Sequence, residues 1–130
     1  MKKKHFLVAD TETVGLGNRA FVYDFAYCIA TRKEIILERS FLIREVITNP
    51  LTMLFALTDE HWRQSFGGKI FSHYIPGLDK NNLQIYSWLD VVQILRDDMK
   101  TYNVDVFTAY NLGFDTRALS RTQEHVCSGG

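Results

Sequence analysis

The sequence has few cysteines, no net charge and no long hydrophobic run, and each shortage excludes a class of protein. The two cysteines, Cys28 and Cys127, fit no metal-binding spacing, and a reducing, cytoplasmic location is expected. Fifteen basic and fifteen acidic residues cancel, so no overall field favours a nucleic acid, although bound metal ions can supply positive charge locally. No apolar stretch is long enough to span a membrane, so no membrane partner is expected.

The first residues resemble a secretory signal only superficially. A basic Met1–Lys4 precedes four apolar residues, but that apolar run is too short and ends in acids. The chain has 130 residues, of which 46% are hydrophobic. This size and composition suit one globular domain with a hydrophobic core.

The most informative stretch is that first apolar run, which leads directly into two acids. Phe6 to Ala9 predicts a buried strand, and Asp10 and Glu12 follow at its end. Residues two apart in a strand face the same side, so the two carboxylates repel each other unless a cation neutralises them. Oxygen ligands favour Mg²⁺ or Mn²⁺ over Zn²⁺, so a divalent metal site is indicated. The alternative is a chance Asp-x-Glu pair without a metal.

The remaining hydrophobic pattern indicates an α/β domain. Strands are predicted over residues 5–10, 20–30 and 35–43, and together they form an antiparallel meander. Ser87 begins a capping-box pattern, and apolar residues at helical spacing predict a helix over 88–102. A strand over 105–110 follows, and the helical crossover indicates that it lies parallel to the first strand.

The middle of the chain has a less regular pattern. Residues 44–49 are ambiguous, and short helices are predicted over 51–57, 58–66 and 69–75. Glycine and proline end the last two of these helices, and a turn follows at residues 79–82. This segment contributes no candidate functional residue.

Asp115 is the third candidate acid. Asn111 predicts the N-cap of a helix that begins at Leu112, and Asp115 lies one turn into it, on the same face as Leu119. An acid among core-facing positions suits a cleft better than a packed core. If the strand over 105–110 is parallel to the first, Asp115 joins Asp10 and Glu12 at one edge of the sheet. The alternative is that Asp115 only complements the helix dipole.

Two motifs resemble those of the DEDD exonuclease superfamily, which includes the proofreading subunit of bacterial replicative polymerases and ribonuclease T. Asp10-Thr11-Glu12-Thr13-Val14-Gly15-Leu16 resembles the first family motif. Ala109-Tyr110-Asn111-Leu112-Gly113-Phe114-Asp115 resembles the second, with its Asn-x-x-Phe-Asp. The order, the separation and the strand–helix context all match, and the resemblance extends from Phe6 to about Leu119.

The resemblance implies a ribonuclease H-like fold, with strands one to three antiparallel, the fourth parallel, and helices on the sheet. It implies a 3′→5′ exonuclease that hydrolyses phosphodiester bonds at the 3′ end of single-stranded DNA or RNA, with two Mg²⁺ or Mn²⁺ ions. The implied metal ligands and catalytic residues are Asp10, Glu12 and Asp115. The residues implied to contact the terminal nucleotide are Thr13, Gly15, Leu16, Asn111 and Phe114.

The third motif of the family, a His or Tyr base followed by a fourth acid, has no counterpart in the sequence. His125 and Glu124 are interpreted instead as solvent-exposed residues of a polar tail over 120–130, after an exonuclease-like domain over 1–119. Loss of a general base typically costs about 10²–10⁴-fold in rate, so reduced activity is expected.

The fold is also expected to lack its closing C-terminal helix, which would leave apolar surface exposed. Three explanations stay open: a fragment of a longer exonuclease, a natural truncation that keeps a binding function, or a second copy that covers the exposed face. A polymerase is a further partner suggested by the resemblance.

Three functional hypotheses follow from the sequence. The first is a metal-dependent 3′→5′ exonuclease of replication or repair with reduced activity. The second is a catalytically inactive module that binds nucleic acid on an exonuclease fold. The third is a ribonuclease H-like fold without a nucleic-acid role.

Overall fold

Three long β-strands form the centre of the sheet, as the hydrophobic pattern predicts. The computed structural model describes residues 4–14, 21–48, 84–109 and 112–127. The three strands are β1 (Phe6–Val14), β2 (Phe21–Ala30) and β3 (Ile35–Ile43), and they pair antiparallel in order. The tight turn between β2 and β3 is closed by Thr31, whose backbone N–H donates to the carbonyl of Glu34 at 2.9 Å. The predicted meander is confirmed.

The first strand is longer than its apolar run. Extended backbone was expected to end at residue 10 and a loop to begin at residue 13, but β1 continues to Val14. The reason is its neighbour, because β2 pairs with β1 along its whole length, up to Phe21 opposite Val14. The polar residues therefore stay in regular extended conformation, interrupted by one irregularity between Glu12 and Thr13.

The second half of the described chain adds helices and two more strands. Helix α2 (Trp88–Thr101) begins where the Ser87 hydroxyl accepts a hydrogen bond from the backbone N–H of Asp90, as the capping pattern predicts. Strand β5 (Val106–Ala109) lies parallel to β1, with Ala109 opposite Ala9. The predicted helical crossover and its parallel strand are thus both confirmed.

Two short elements escaped the sequence analysis. Helix α1 (Arg44–Ile47) continues directly from β3, in the ambiguous segment, and strand β4 (Gln84–Tyr86) pairs parallel with the end of β3. Neither is long enough to show a periodic pattern, and β4 owes its extended conformation to the edge of β3. The helices predicted over 51–57, 58–66 and 69–75 lie outside the described residues.

The result is an α/β fold with one mixed, five-stranded sheet in the order β4-β3-β2-β1-β5. One face of this sheet packs against α2 and the last helix, α3 (Leu112–Cys127), and is called the helix-packed face. Its buried strand residues are Leu7, Ala9, Phe25, Tyr27, Ile29 and Phe41. On the opposite face the residues of β1 alternate with these, and Val8 is 41% exposed there.

Helix α3 is longer than expected and corrects the assignment of a polar tail over residues 120–130. It continues to Cys127, so residues 120–127 are helical. Thr122 explains why, since its side chain is fully buried, accepts a hydrogen bond from the backbone N–H of Val22 at 2.9 Å and donates one to the carbonyl of Ala118 at 2.8 Å. The end of α3 is therefore anchored by a buried polar residue, whereas the sequence analysis expected only apolar residues to anchor a helix. None of the helices in the described ranges is long and apolar enough to cross a membrane.

A polar cluster joins α2 to the sheet. Arg39 of β3 and Tyr27 of β2 lie side by side on the helix-packed face, and both bind the buried carboxylate of Asp98. The Arg39 guanidinium donates through Nε to Oδ2 at 2.8 Å and through Nη2 to Oδ1 at 3.0 Å, while the Tyr27 hydroxyl donates to Oδ2. Two donors on neighbouring strands therefore fix the position and rotation of α2.

The same contacts shift the ionisation of the cluster. Burial by itself would raise the pKa of Asp98, but the hydrogen bonds from Arg39 and Tyr27 outweigh it and lower the pKa below its usual value. Burial, reinforced by the hydrogen bond to Asp98, raises the pKa of the Tyr27 phenol well above its ordinary range. Asp98 is therefore charged and Tyr27 neutral across the physiological pH range.

The Tyr27→Phe substitution tests the cluster by removing one hydroxyl and nothing else. We expect it to lower the free energy of unfolding by about 1–2 kcal/mol, because the buried carboxylate of Asp98 loses one donor. The matched control is Tyr86→Phe, because the Tyr86 hydroxyl donates to Gln84 in an exposed contact. Urea denaturation of both variants measures the difference, and equal losses would contradict the role given to Tyr27.

The lowered pKa of Asp98 also predicts how stability depends on pH. A carboxyl whose pKa is lower in the folded than in the unfolded state stabilises the fold above the unfolded value, about 3.9, and this contribution is lost as the pH falls. Asp98→Asn is expected to be less stable than the wild type at neutral pH and to lose less stability on acidification. The exposed neighbour Asp97 supplies the control, since Asp97→Asn should keep the wild-type slope.

Candidate functional site

The candidate site begins at the carboxyl end of β1, where polar side chains alternate between the two faces of the sheet. Thr11 and Thr13 are buried, at 9% and 3% exposure, whereas Asp10 is exposed and Glu12 is partly exposed. Pairing with β5 ends at Ala9, so these residues extend beyond the last paired residue of the parallel neighbour. The two acids therefore project from one side of the strand, as the sequence predicts, and Thr11 projects from the other.

Asp115 reaches the same end of β1 from α3. It lies in the first turn of this helix, is only 5% exposed, and its Oδ1 accepts a hydrogen bond from the Thr11 hydroxyl. The two residues are 104 positions apart in the chain. The parallel pairing of β1 and β5 causes this contact, because it places the end of β5, shortly before the start of α3, beside Ala9, two residues before Thr11.

The contact differs in one respect from the expected acidic cluster. Asp115 binds Thr11, which lies between Asp10 and Glu12 in the chain but faces the helices. By strand alternation the carboxylates of Asp10 and Glu12 lie on the opposite face. The structure thus brings the three acids to one strand end, with Asp115 on one side of β1 and the pair on the other.

A fourth acid, Asp24 of β2, lies directly opposite Glu12 in the antiparallel ladder. Opposite residues in such a pair project from the same face, so Asp24 and Glu12 are neighbours, and Asp24 is only 8% exposed. Like charges in this arrangement repel each other, so Asp24 adds a further carboxylate to the face that carries Asp10 and Glu12. The sequence analysis missed Asp24 because it lies in an aromatic run interpreted as core, and only the register of β1 against β2 relates it to the motif.

The helix α3 passes over this strand end and continues across the start of β2. Beyond Asp115 it is held by the bond between Thr122 and Val22, and by the His125 ring, which packs against Phe21 at a centroid distance of 4.9 Å. His125 is half-buried by this contact, so its interpretation as a solvent-exposed tail residue is wrong. The His125 ring, tilted by 42° against Phe21, has a structural role in fixing the end of α3.

The opposite face of the sheet carries a shallow groove next to Asp10. Its volume is about 530 Å³, and its lining residues are Val8, Asp10, Ala26, Tyr27, Cys28, Glu38, Arg39 and Ser40. Asp10 and Glu38 give the groove two carboxylates, so a phosphate group would be repelled from it unless a cation were present. The volume falls within the range of binding sites for small ligands.

The donor types at the strand end suit a hard divalent cation. All the candidate ligands, Asp10, Glu12 and Asp115, offer carboxylate oxygens, which Mg²⁺ and Mn²⁺ prefer. In the part of the chain that is described, however, no three acidic, His or Cys side chains stand close enough together to hold one ion. The donor set therefore fits these metals in its chemistry, while Asp115 is engaged with Thr11.

Of the residues implied to contact the terminal nucleotide, Thr13 is the one whose side chain is described, and it is buried at the end of β1. Gly15, Leu16 and Asn111 lie outside the described residues, and so does the side chain of Phe114. The substrate contacts implied by the resemblance therefore stay predictions. No protein-family model matches the sequence, and comparisons with curated proteins and with solved structures gave no match.

The Thr11→Val substitution tests the contact that joins α3 to β1. Valine keeps the shape and the strand propensity of threonine but removes the hydroxyl donor, which leaves the buried carboxylate of Asp115 without that bond. We expect the free energy of unfolding to fall by about 1–3 kcal/mol. Thr116→Val is the matched control, since the exposed Thr116 hydroxyl donates only to the carbonyl of Leu112 in its own helix. Similar losses in both variants would show that the Thr11–Asp115 bond contributes nothing specific.

Proposed function

We propose that this protein is a metal-dependent nuclease that removes nucleotides from the 3′ end of single-stranded DNA or RNA. The proposal combines the two sequence motifs with one structural observation that carries it. Asp115, in the second motif, contacts Thr11, the central residue of Asp10-Thr11-Glu12 in the first motif. Two motifs far apart in the chain thus meet at one strand end, as shared catalytic chemistry requires.

The sheet also supports the proposal. Strands β1 to β3 are antiparallel, β5 is parallel to β1, and a helix follows β5 to carry the second acid. This arrangement is compatible with a ribonuclease H-like fold. We infer that the chain has that fold.

The residues have defined tasks in this proposal. Asp10 and Glu12 would hold the ions from one side of the end of β1, and Asp115 would join them from the other side, where its buried position limits the orientations its carboxylate can adopt. Two Mg²⁺ or Mn²⁺ ions, when bound, stabilise the attacking and leaving oxygens of an in-line phosphoryl displacement. The backbone around Thr13, Gly15 and Leu16, together with Asn111 and Phe114, would position the terminal nucleotide. The general base is not assigned to any of these residues, so we expect a low rate for this chain by itself.

A catalytically inactive nucleic-acid-binding module is the second candidate function. The observation that favours it is the engagement of Asp115 with Thr11, together with the lack of a three-ligand group among the residues described. In that case the acids have a structural role in the fold, and the binding of nucleic acid requires no divalent ion. The two candidates differ in a measurable way, because only the nuclease consumes its substrate.

The deciding experiment incubates the protein with linear single-stranded DNA or RNA labelled at the 5′ end. We expect a ladder of shortened products with MgCl₂ or MnCl₂ and none with EDTA, because the carboxylates act through the metal ions. Asp10→Asn should reduce the rate at least about 100-fold, the order of magnitude assigned to a lost catalytic group. Circular single-stranded DNA lacks a 3′ end and should resist degradation.

The control variant for this experiment is Asp97→Asn, which removes an exposed carboxylate on α2 far from the strand end. It should degrade the linear substrate at the wild-type rate. Binding of the linear strand without degradation, unchanged by EDTA, would favour the inactive module. Degradation that survives Asp10→Asn would show that the activity comes from elsewhere and would overturn the assignment of the site.

A further inference from the structure

Two arginines occupy the outer face of α3, immediately beyond the candidate metal ligand Asp115. Arg117 and Arg121 are four residues apart, so they project from the same side of the helix, about 6 Å apart along its axis. A shallow pocket of about 230 Å³ lies between them, and its lining residues are Thr116, Arg117, Ser120, Arg121 and Glu124. We call this set the arginine strip.

The two guanidinium groups of the strip form no ion pair with the residues that the structure describes. The ion pair found in the described ranges is between Arg39 and Asp98, and neither Arg117 nor Arg121 pairs with an acid there. Glu124 borders the pocket but lies beyond ion-pair distance from either guanidinium. An arginine pair of this kind on one helix face is available to bind an anion, and the guanidinium fork suits phosphate oxygens.

The direction of Arg117 links the strip to the candidate site. A Cβ atom added at Gly113 would lie 3.3 Å from Nη1 of Arg117, so the guanidinium folds back over the first turn of α3. Long helical side chains commonly point toward the amino end in this way. That end of α3 is also where Asp115 contacts β1, so the Arg117 guanidinium lies toward the end of the helix that reaches the candidate site.

The position of the strip on α3 indicates which part of a substrate it could bind. Helix α3 contacts β1 through Asp115 and the start of β2 through Thr122, so the strip, on the outer face of this helix, begins within one turn of Asp115, one of the candidate acids. A strand whose 3′ end reaches those acids must continue away from them with its phosphates. Two cations at one-turn spacing can neutralise successive phosphates of an extended strand.

We propose that the arginine strip binds the sugar–phosphate backbone of single-stranded nucleic acid, upstream of the 3′ end that is hydrolysed. Arg117 and Arg121 bind the phosphate oxygens, and the Ser120 hydroxyl donates a further hydrogen bond. The strip is independent of base sequence, because it recognises phosphates alone. This inference rests on the proposed nuclease function and adds to it the binding of a longer substrate.

The test compares Arg117→Ala/Arg121→Ala with the wild type for binding of a fluorescent single-stranded oligonucleotide in EDTA, which prevents cleavage. For single strands the slope of log K against log salt is negative, and its magnitude is about 0.7 for each phosphate contact. The loss of two contacts should therefore reduce that magnitude by about 1.4. Extrapolated from molar salt, this corresponds to an affinity about 20-fold weaker near 0.1 M salt. All the substituted residues are on the helix surface, and circular dichroism verifies that the variant is folded.

The matched control is Arg32→Ala/Lys33→Ala, which removes two exposed charges from the turn between β2 and β3, at the other end of the sheet. It should leave both the affinity and the slope close to wild type. Two further variants test the geometry. Glu124→Gln removes the acid beside the pocket and should tighten binding, whereas Gly113→Ala should weaken it moderately, because the new methyl group displaces the Arg117 guanidinium.

Substrate length separates the strip from the catalytic acids. The only phosphodiester of a dinucleotide is the one that is hydrolysed, so no upstream phosphate remains for the strip; the double arginine variant should cleave it at the wild-type rate and lose efficiency only on longer strands. Equal binding losses in the arginine and control variants would overturn the role proposed for the arginine strip and leave the nuclease proposal intact. A wild-type protein that neither binds nor cleaves single strands would overturn both proposals.

Discussion

The parallel pairing of β1 and β5 is the interaction on which the candidate site depends. It sets Ala109 beside Ala9, so the end of β5 lies next to the polar residues that follow Ala9 in β1. Helix α3, which starts shortly after that strand end, then places Asp115 against Thr11. A shift of this register by one residue would turn the side chains of β1 to the other face and separate the two motifs.

The charged residues near the end of β1 form two separate groups, one acidic and one basic. On the opposite face of the sheet Glu12 and Asp24 stand directly across from each other, and Asp10 and Glu38 line the same groove. The outer face of α3 carries Arg117 and Arg121. The net charge of the protein is zero, yet its charges are separated locally into an acidic region suited to cations and a basic one suited to phosphates.

Two buried polar groups outside the candidate site hold the helices in place against the sheet. The buried carboxylate of Asp98 ties α2 to two strands, and the buried hydroxyl of Thr122 ties α3 to the start of β2. Both groups occupy helix positions that apolar residues would fill in a simpler core, and their hydrogen bonds give the helices a defined rotation as well as a place.

Local patterns in the sequence determined the meander of β1 to β3, the capped helix α2, the parallel strand β5 and the start of α3. These patterns depend on neighbours along the chain, namely alternation, helical spacing and the Ser87 cap. The same local information placed Asp10 and Glu12 together, since strand alternation alone relates them. It could not extend β1 to Val14 or continue α3 to Cys127, because both depend on partners in β2.

Tertiary structure alone decided which distant residues meet. The register of β1 against β2 makes Asp24 a neighbour of Glu12. The contact with Phe21 makes the His125 ring a packed side chain rather than an exposed one. Thr11, which the motif interpretation passed over between two acids, proved to be the residue that contacts Asp115. The physical reason is common to all three cases: a side chain's own sequence context defines its direction, and only the packing of other elements defines what lies in that direction.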